Sequence, residues 1–237
     1  MDDKEYTLKK TSRLAGLLYL IWILLGLYSL MIIPSQIDMT GDAAGIAHNI
    51  LSHEFLFRTG IIIDLINSSI WIVMILLFYR LFKQVNKFLV KLLLAFVIVQ
   101  IPAVFILQGF NITTLTILKG EGLQTFEAAQ RLDLAIQFLK FSDYVVLTLE
   151  FYWGLWLVPL GILIFRSGFI PRFLGIWLVI NGLALLILSF TDILVPQYRN
   201  IIFKIAIPAM FGEVAFMLWL LIKGVKDNVS TIENNKV

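Results

Sequence analysis

The chain has 237 residues, 59% of them hydrophobic and only 15% charged, with a formal net charge of +3. Soluble domains run at roughly 45–50% apolar and about 25% charged, and disordered chains are poorer still in apolar residues, so the composition excludes both. The small, scattered charge excludes a nucleic-acid surface, and the absence of cysteine excludes disulfides, thiol catalysis and thiolate metal sites.

Mean hydropathy is +0.90, and the apolar runs read in chain order as six membrane spans. About 20 apolar residues cross the hydrocarbon. Runs of that length cover about 12–34, 56–79, 88–112, 143–165, 173–195 and 201–223. The first follows Lys9, Lys10 and Arg13 as a signal peptide would. It is longer than the roughly 7–15 residues of a signal core and no small-x-small site follows it, so it is read as a retained span. The fold class is therefore all-α, a polytopic membrane helix bundle whose first partner is the lipid bilayer. A short tail at 1–11, a membrane domain at 12–226 and a polar tail at 227–237 complete the organisation. Nothing in the sequence sets an oligomeric state.

Of the 19 Lys and Arg residues, only Arg58, Lys119, Arg131, Lys140, Arg199 and Lys204 fall on the side away from the termini. The positive-inside rule then places both termini in the cytoplasm of a cell-membrane protein. Two loops on the outer side carry helical periodicity. Ala43, Ile46, Ala47, Ile50 and Leu51 follow a cap at Asp42 or Thr40, and Ala128, Ala129, Leu132, Ala135, Ile136 and Leu139 repeat the spacing. Both are expected as amphipathic helices on the outer surface or capping the bundle.

A parallel internal repeat is also expected, with units at about 12–87 and 92–172. Thr40-Gly41-Asp42-Ala43-Ala44 matches Thr125-Phe126-Glu127-Ala128-Ala129 at an offset of 85, and Asp64 with Arg80 matches Glu150 with Arg166 at 86. Lys87-Phe88-Leu89 and Arg172-Phe173-Leu174 continue the pattern. Such repeats are related by an axis along the membrane normal. The rival reading is convergence, since every span needs a basic inner end and interfacial helices favour alanine.

Charged groups inside a bilayer are costly and face a bundle interior or an aqueous cavity. Asp64, Glu150 and Glu213 lie inside spans two, four and six, and Asp192 marks the outer end of the fifth. Asp64, Asn67, Ser68 and Trp71 share a helical stripe, Gln100, Gln108 and Asn111 a looser one, and Asp143, Glu150, Trp153 and Gly154 a third; Asn181 can share one with Asp192. Pro102, Pro159 and Pro208 each free a carbonyl one turn back. The candidate ligand pocket, opening outward for a small-molecule or lipid ligand, is lined by Asp64, Asn67, Ser68, Gln100, Glu150, Trp153 and Glu213. The alternative is packing alone, with Asp64 paired to Arg58, Glu213 to Lys204 or an amide, and the neutral polar groups as interhelical glue.

No catalytic residue is singled out, and no cofactor is expected. No metal site is expected: His48 and His53 are five apart and do not stack on one helix face, and surface histidines are the simpler reading. There is no HExxH, GxSxG, Walker or dinucleotide motif. Arg80, Lys83, Lys87, Arg166 and Arg172 read as inner-interface anchors, with headgroup binding as an addition.

Several stretches carry a family resemblance. Arg13-Leu14-Ala15-Gly16-Leu17-Leu18-Tyr19-Leu20, Gly41-Asp42-Ala43-Ala44, Phe57-Arg58-x-Gly60 with Asp64, and Tyr79-Arg80-Leu81 are four of them. Arg166-Ser167-Gly168-Phe169-Ile170-Pro171-Arg172-Phe173-Leu174-Gly175 and Gly212-Glu213 with Leu218-Trp219-Leu220 complete the set. Together they resemble the bacterial membrane proteins grouped as domain of unknown function 4386. The resemblance runs from Arg13 to Lys226 and implies a multi-span membrane protein, with no activity or catalytic residue attached. Three functions remain open: binding or transport of a small or amphiphilic molecule, then structural or assembly work in the envelope, then intramembrane catalysis. The sequence leans away from an enzyme.

Overall fold

The computed structural model describes residues 2–225, with side chains from Leu8 onward, and among these residues it is all helix with no strand. The polar tail expected at 227–237 lies outside the described residues. Helix α1 (Asp2–Leu27) already includes residues 2–11, expected as a tail, and runs without a break into the first span. A π turn at Tyr28–Ile32 leads into α2 (Ile33–Gln36), with Pro34 in its first turn. Proline supplies no N–H to the ladder; just ahead of it the ladder widens, and Ile33 N–H reaches Tyr28 O, five residues back.

Helix α3 (Ala43–Ser52) is capped by Asp42, whose Oδ1 accepts from Gly45 N at 2.8 Å. Before it, Asp38 accepts from the Thr40 hydroxyl and amide, which hold its carboxyl below the usual range. Helix α4 (Glu54–Phe82) is the second span, and α5 (Lys87–Ile98) with α6 (Gln100–Leu118) the third. The break at Val99 lies where the ring of Pro102 would oppose the Ile98 carbonyl, four residues back. Helices α7 (Ala128–Ser167), α8 (Arg172–Leu194) and α9 (Arg199–Ile222) complete the set, with a 3₁₀ turn at Pro196–Tyr198 before α9.

Among the described residues, six helical segments are long and apolar enough to cross a membrane: Leu8–Gln36, Glu54–Phe82, Lys87–Leu118, Ala128–Ser167, Arg172–Leu194 and Pro196–Ile222. Each contains or closely overlaps a run expected from the sequence, and the protein is a multi-pass membrane helix bundle. The outward residues agree with a lipid surround. Ile176, Ile180, Leu183, Ile187, Phe190 and Leu194 follow one stripe of α8, and each is at least 50% exposed, the inverse of a soluble helix.

One expectation is corrected. The second loop helix is not a separate element: α7 is a single 40-residue helix that includes the fourth span. Lys140-Phe141-Ser142-Asp143 contains neither glycine nor proline, so nothing stops the ladder where the periodicity changes character. Helix α3 does form separately: Ile46, Ala47 and Ile50 are buried, and Ile46 and Ile50 join a cluster with Ile33, Ile37, Phe57, Ile61, Leu115 and Leu139.

The chain forms two compact units. Of the described residues, one unit holds 2–21, Ile70–Val99 and 150–225; the other holds Trp22–Ser69 and Gln100–Leu149. In the first, α7 and α8 meet backbone to backbone at glycines. A Cβ on Gly154 would stand 2.6 Å from Gly182 O, and one on Gly161 2.5 Å from Gly175 O. Both partners are spaced by seven, so antiparallel helices keep one seam in register. Beside it Tyr19, Phe78, Trp156 and Phe216 form an aromatic core, with ring centroids 5.9–6.3 Å apart. In the second unit Phe110, Phe138 and Phe141 pack at 5.7–6.1 Å.

Candidate functional site: carboxylates inside the spans

Glu213, on α9, is half-buried against that aromatic core. Its Oε2 accepts from the Tyr19 hydroxyl of α1 at 2.8 Å and its Oε1 from Asn181 Nδ2 of α8 at 3.1 Å. Tyr19 and Asn181 are fully buried, and Asn181 Oδ1 has no hydrogen-bond partner. No basic group touches Glu213 among the described residues. Lys204, one partner considered from sequence, is not there; the amide alternative is, as Asn181. The close approach that makes this possible is set by Gly16 of α1, whose added Cβ would stand 2.6 Å from Leu221 N of α9.

Glu150 of α7 has a different neighbourhood. Its Oε1 pairs with Arg199 Nη2 at 3.1 Å, and Arg199 Nη1 donates to Asp192 Oδ2 of α8. Glu150 and Asp192 are 8% and 7% exposed, while the Arg199 side chain is 43% exposed. One guanidinium therefore faces two buried carboxylates. Glu150 Oε2 and Asp192 Oδ1 are left without hydrogen-bond partners.

Asp64 belongs to the second unit. It accepts from Gln108 Nε2 at 2.8 Å and from the Ser29 hydroxyl in the π turn. Gln108 Oε1 in turn accepts from Asn111 Nδ2 at 3.1 Å. Arg58, considered as the Asp64 partner, is instead on Glu54 at 2.8 Å, with Lys119 on the same oxygen at 3.1 Å. Asp64, like Glu213, is held only by neutral donors among the described residues. Such a carboxylate is open to a proton, a cation or a donor-rich headgroup.

Against known proteins, the family described as domain of unknown function DUF4386 matches residues 14–224. The chain belongs to the DUF4386 family. An uncharacterised protein from Archaeoglobus fulgidus is 34% identical to this DUF4386 protein over 87 residues, 35% of this chain and 49% of the relative. The chain thus spans about half the length of the curated relative it matches. No solved structure matches it.

The other candidates in this DUF4386 protein fall as follows. Ser68 is buried and spends its hydroxyl on Asp64 O at 2.8 Å, while Asn67 is half-buried with Oδ1 unpartnered. Gln100 is buried and Trp153 half-buried. His48 and His53 are exposed, bonded to Ser52 and to Asn49 O, and no group of three or more His, Cys, Asp or Glu among the described residues could hold a metal ion. Arg80, Lys83, Lys87, Arg166 and Arg172 are all exposed, and Arg172 sits 5.6 Å from the Phe165 ring centroid. The most specific family stretch proves to be a helix stop. Ser167 Oγ donates to Ile164 O and accepts from Ile170 N, and Gly168 takes φ +72°. Arg13 and Ser12 likewise reach Ile222 O and Val225 N at the end of α9.

Sequence reasoning missed Tyr19, Ser29 and Arg199 as carboxylate partners. Tyr19 and Ser29 carry no local signal. Arg199 had one: a basic residue seven positions after Asp192, across Pro196.

Proposed function

We propose that the protein binds, and carries across the membrane, a small or amphiphilic molecule that presents a cationic N–H group to carboxylates inside the spans. Glu213 supports this reading most. Its two donors, Tyr19 and Asn181, come from two other spans and carry no charge, and the buried Asn181 Oδ1 beside them has no donor of its own. Acceptors without donors are costly in a low-dielectric interior, and a guest with an N–H or ammonium group relieves that cost. Asp64, with the unpartnered Asn67 Oδ1 one turn on, offers the same chemistry in the other unit.

The experiment uses decylamine, a single-chain primary ammonium, against decanol of equal chain length. In a variant whose other five tryptophans are replaced by Phe, the fluorescence of Trp156, 6.3 Å from the Tyr19 ring, reports on that neighbourhood. A saturable change with decylamine, absent with decanol and lost in Glu213→Gln, is the expected result. Equal responses to both, or an unchanged response in Glu213→Gln, would overturn the reading.

The second reading, an envelope assembly protein whose polar groups lock helices, is favoured by one observation: Glu150 already has a guanidinium partner. It requires a stable protein partner on affinity capture and no ligand dependence.

This reading keeps both termini in the cytoplasm of a cell-membrane protein, on the strength of the Lys and Arg asymmetry. The absence of cysteine makes the test clean. Glu121→Cys is expected to react with a membrane-impermeant maleimide on intact cells, and Gln84→Cys only after permeabilisation. The reverse pattern would invert the orientation.

A further inference from the structure

The Glu150–Arg199–Asp192 group lies outside the Glu213 neighbourhood and carries its own inference. Its register follows from the glycine seam. Glu150 stands four residues before Gly154, and Gly154 faces Gly182 and Leu186, so Glu150 is level with Leu186 of α8. Ser189 lies three residues beyond that level and Asp192 three further, each step about 4.5 Å along the helix. Ser189 is therefore axially between the two carboxylates that Arg199 bridges. It is 1% exposed, and its hydroxyl has no partner.

The charge and donor count then decide the chemistry. Two carboxylates against one guanidinium leave one net negative charge. Three oxygens, Glu150 Oε2, Asp192 Oδ1 and Ser189 Oγ, are buried without partners. All three are hard oxygen ligands, which suit alkali and alkaline-earth ions over softer metals. A single uncompensated charge matches a monovalent ion. The partly exposed Arg199 leaves one side of the group open to water.

We propose that Glu150, Ser189 and Asp192 form a sodium-ion site in which Arg199 neutralises one carboxylate and the ion the other. The bound ion ties α7 to α8 at the end of the glycine seam, so occupancy stabilises the fold by mass action.

The test is the melting temperature of the purified full chain in NaCl against N-methylglucamine chloride at constant ionic strength and pH 8. Wild type is expected to gain about 3 °C, saturably, with Na⁺. Ser189→Ala is expected to shift the midpoint of that Na⁺ titration upward about tenfold, and Asp192→Asn to abolish the gain. Glu213→Gln keeps it in full, so failure here is distinct from failure of the ligand reading. Equal melting in both salts, or a gain that survives Asp192→Asn, would overturn the site. A wild type that responds to pH and not to Na⁺ would make the occupant a proton, and overturn it equally.

Discussion

Gly161→Ala is expected to destabilise the protein by about 1–3 kcal/mol, read as an earlier thermal unfolding midpoint in detergent. The new Cβ would stand 2.5 Å from Gly175 O and 2.7 Å from Val179 Cγ2, so two helix backbones must part to admit it. In a membrane, helices gain little by hiding apolar surface from each other, and close backbone packing carries much of their association. The internal control is Gly109→Ala on α6, where a Cβ meets nothing within 4 Å. There the change is expected to be neutral or stabilising, since alanine exceeds glycine in helix propensity by up to about 1 kcal/mol. Equal melting of the two variants would mean that the seam contributes nothing.

Arg199→Gln is expected to be the most damaging single change in the charged group. Removing one member of a buried ion pair typically costs about 3–5 kcal/mol, because the other charge stays buried and unpaired. Arg199 leaves two such charges behind, but it is 43% exposed, and water screens part of the loss. The expected cost in Na⁺-free buffer is thus about 2–3 kcal/mol. Adding Asp192→Asn to Arg199→Gln removes one of the stranded charges and is expected to restore part of the midpoint. A double variant no more stable than Arg199→Gln alone would mean that the two residues are not coupled.

Most of the fold was legible in the sequence, because a membrane span is a matter of length and apolarity, and both can be counted. Side-chain chemistry narrowed the cap of α3 to Asp42 or Thr40, and Asp42 is the one that accepts from Gly45 N. The boundary between surface helix and span in α7 was misread because periodicity was taken as a break, although Lys140 to Asp143 contains no residue that ends a helix. The glycine seam was not read from the sequence, although Gly154 with Gly161, and Gly175 with Gly182, are each spaced by seven there. What they would pack against was not visible, since a seam needs a partner helix.

The candidate site was legible only in part. Asp64, Glu150 and Glu213 stand out because charge inside a span is rare, so the acids declare themselves. Their partners do not. Tyr19 is 194 residues from Glu213 and Gln108 is 44 from Asp64, and nothing local marks a tyrosine or glutamine in an apolar helix as the donor to a distant acid. One pocket lined by all three acids was therefore expected without any of these partners, which differ from acid to acid. Whether an acid carries a guanidinium or only neutral donors decides its chemistry, and that is a property of packing.

The most direct measurement of the central claim is native mass spectrometry of the protein released in its own lipid, wild type against Glu213→Gln. The substitution retains an acceptor for Tyr19 or Asn181 and removes the charge. A discrete extra mass on the wild type that the variant lacks, with similar unfolding midpoints for both, is the expected result. The same mass on both, or on neither, would contradict it and leave Glu213 as a group that only fixes helix packing.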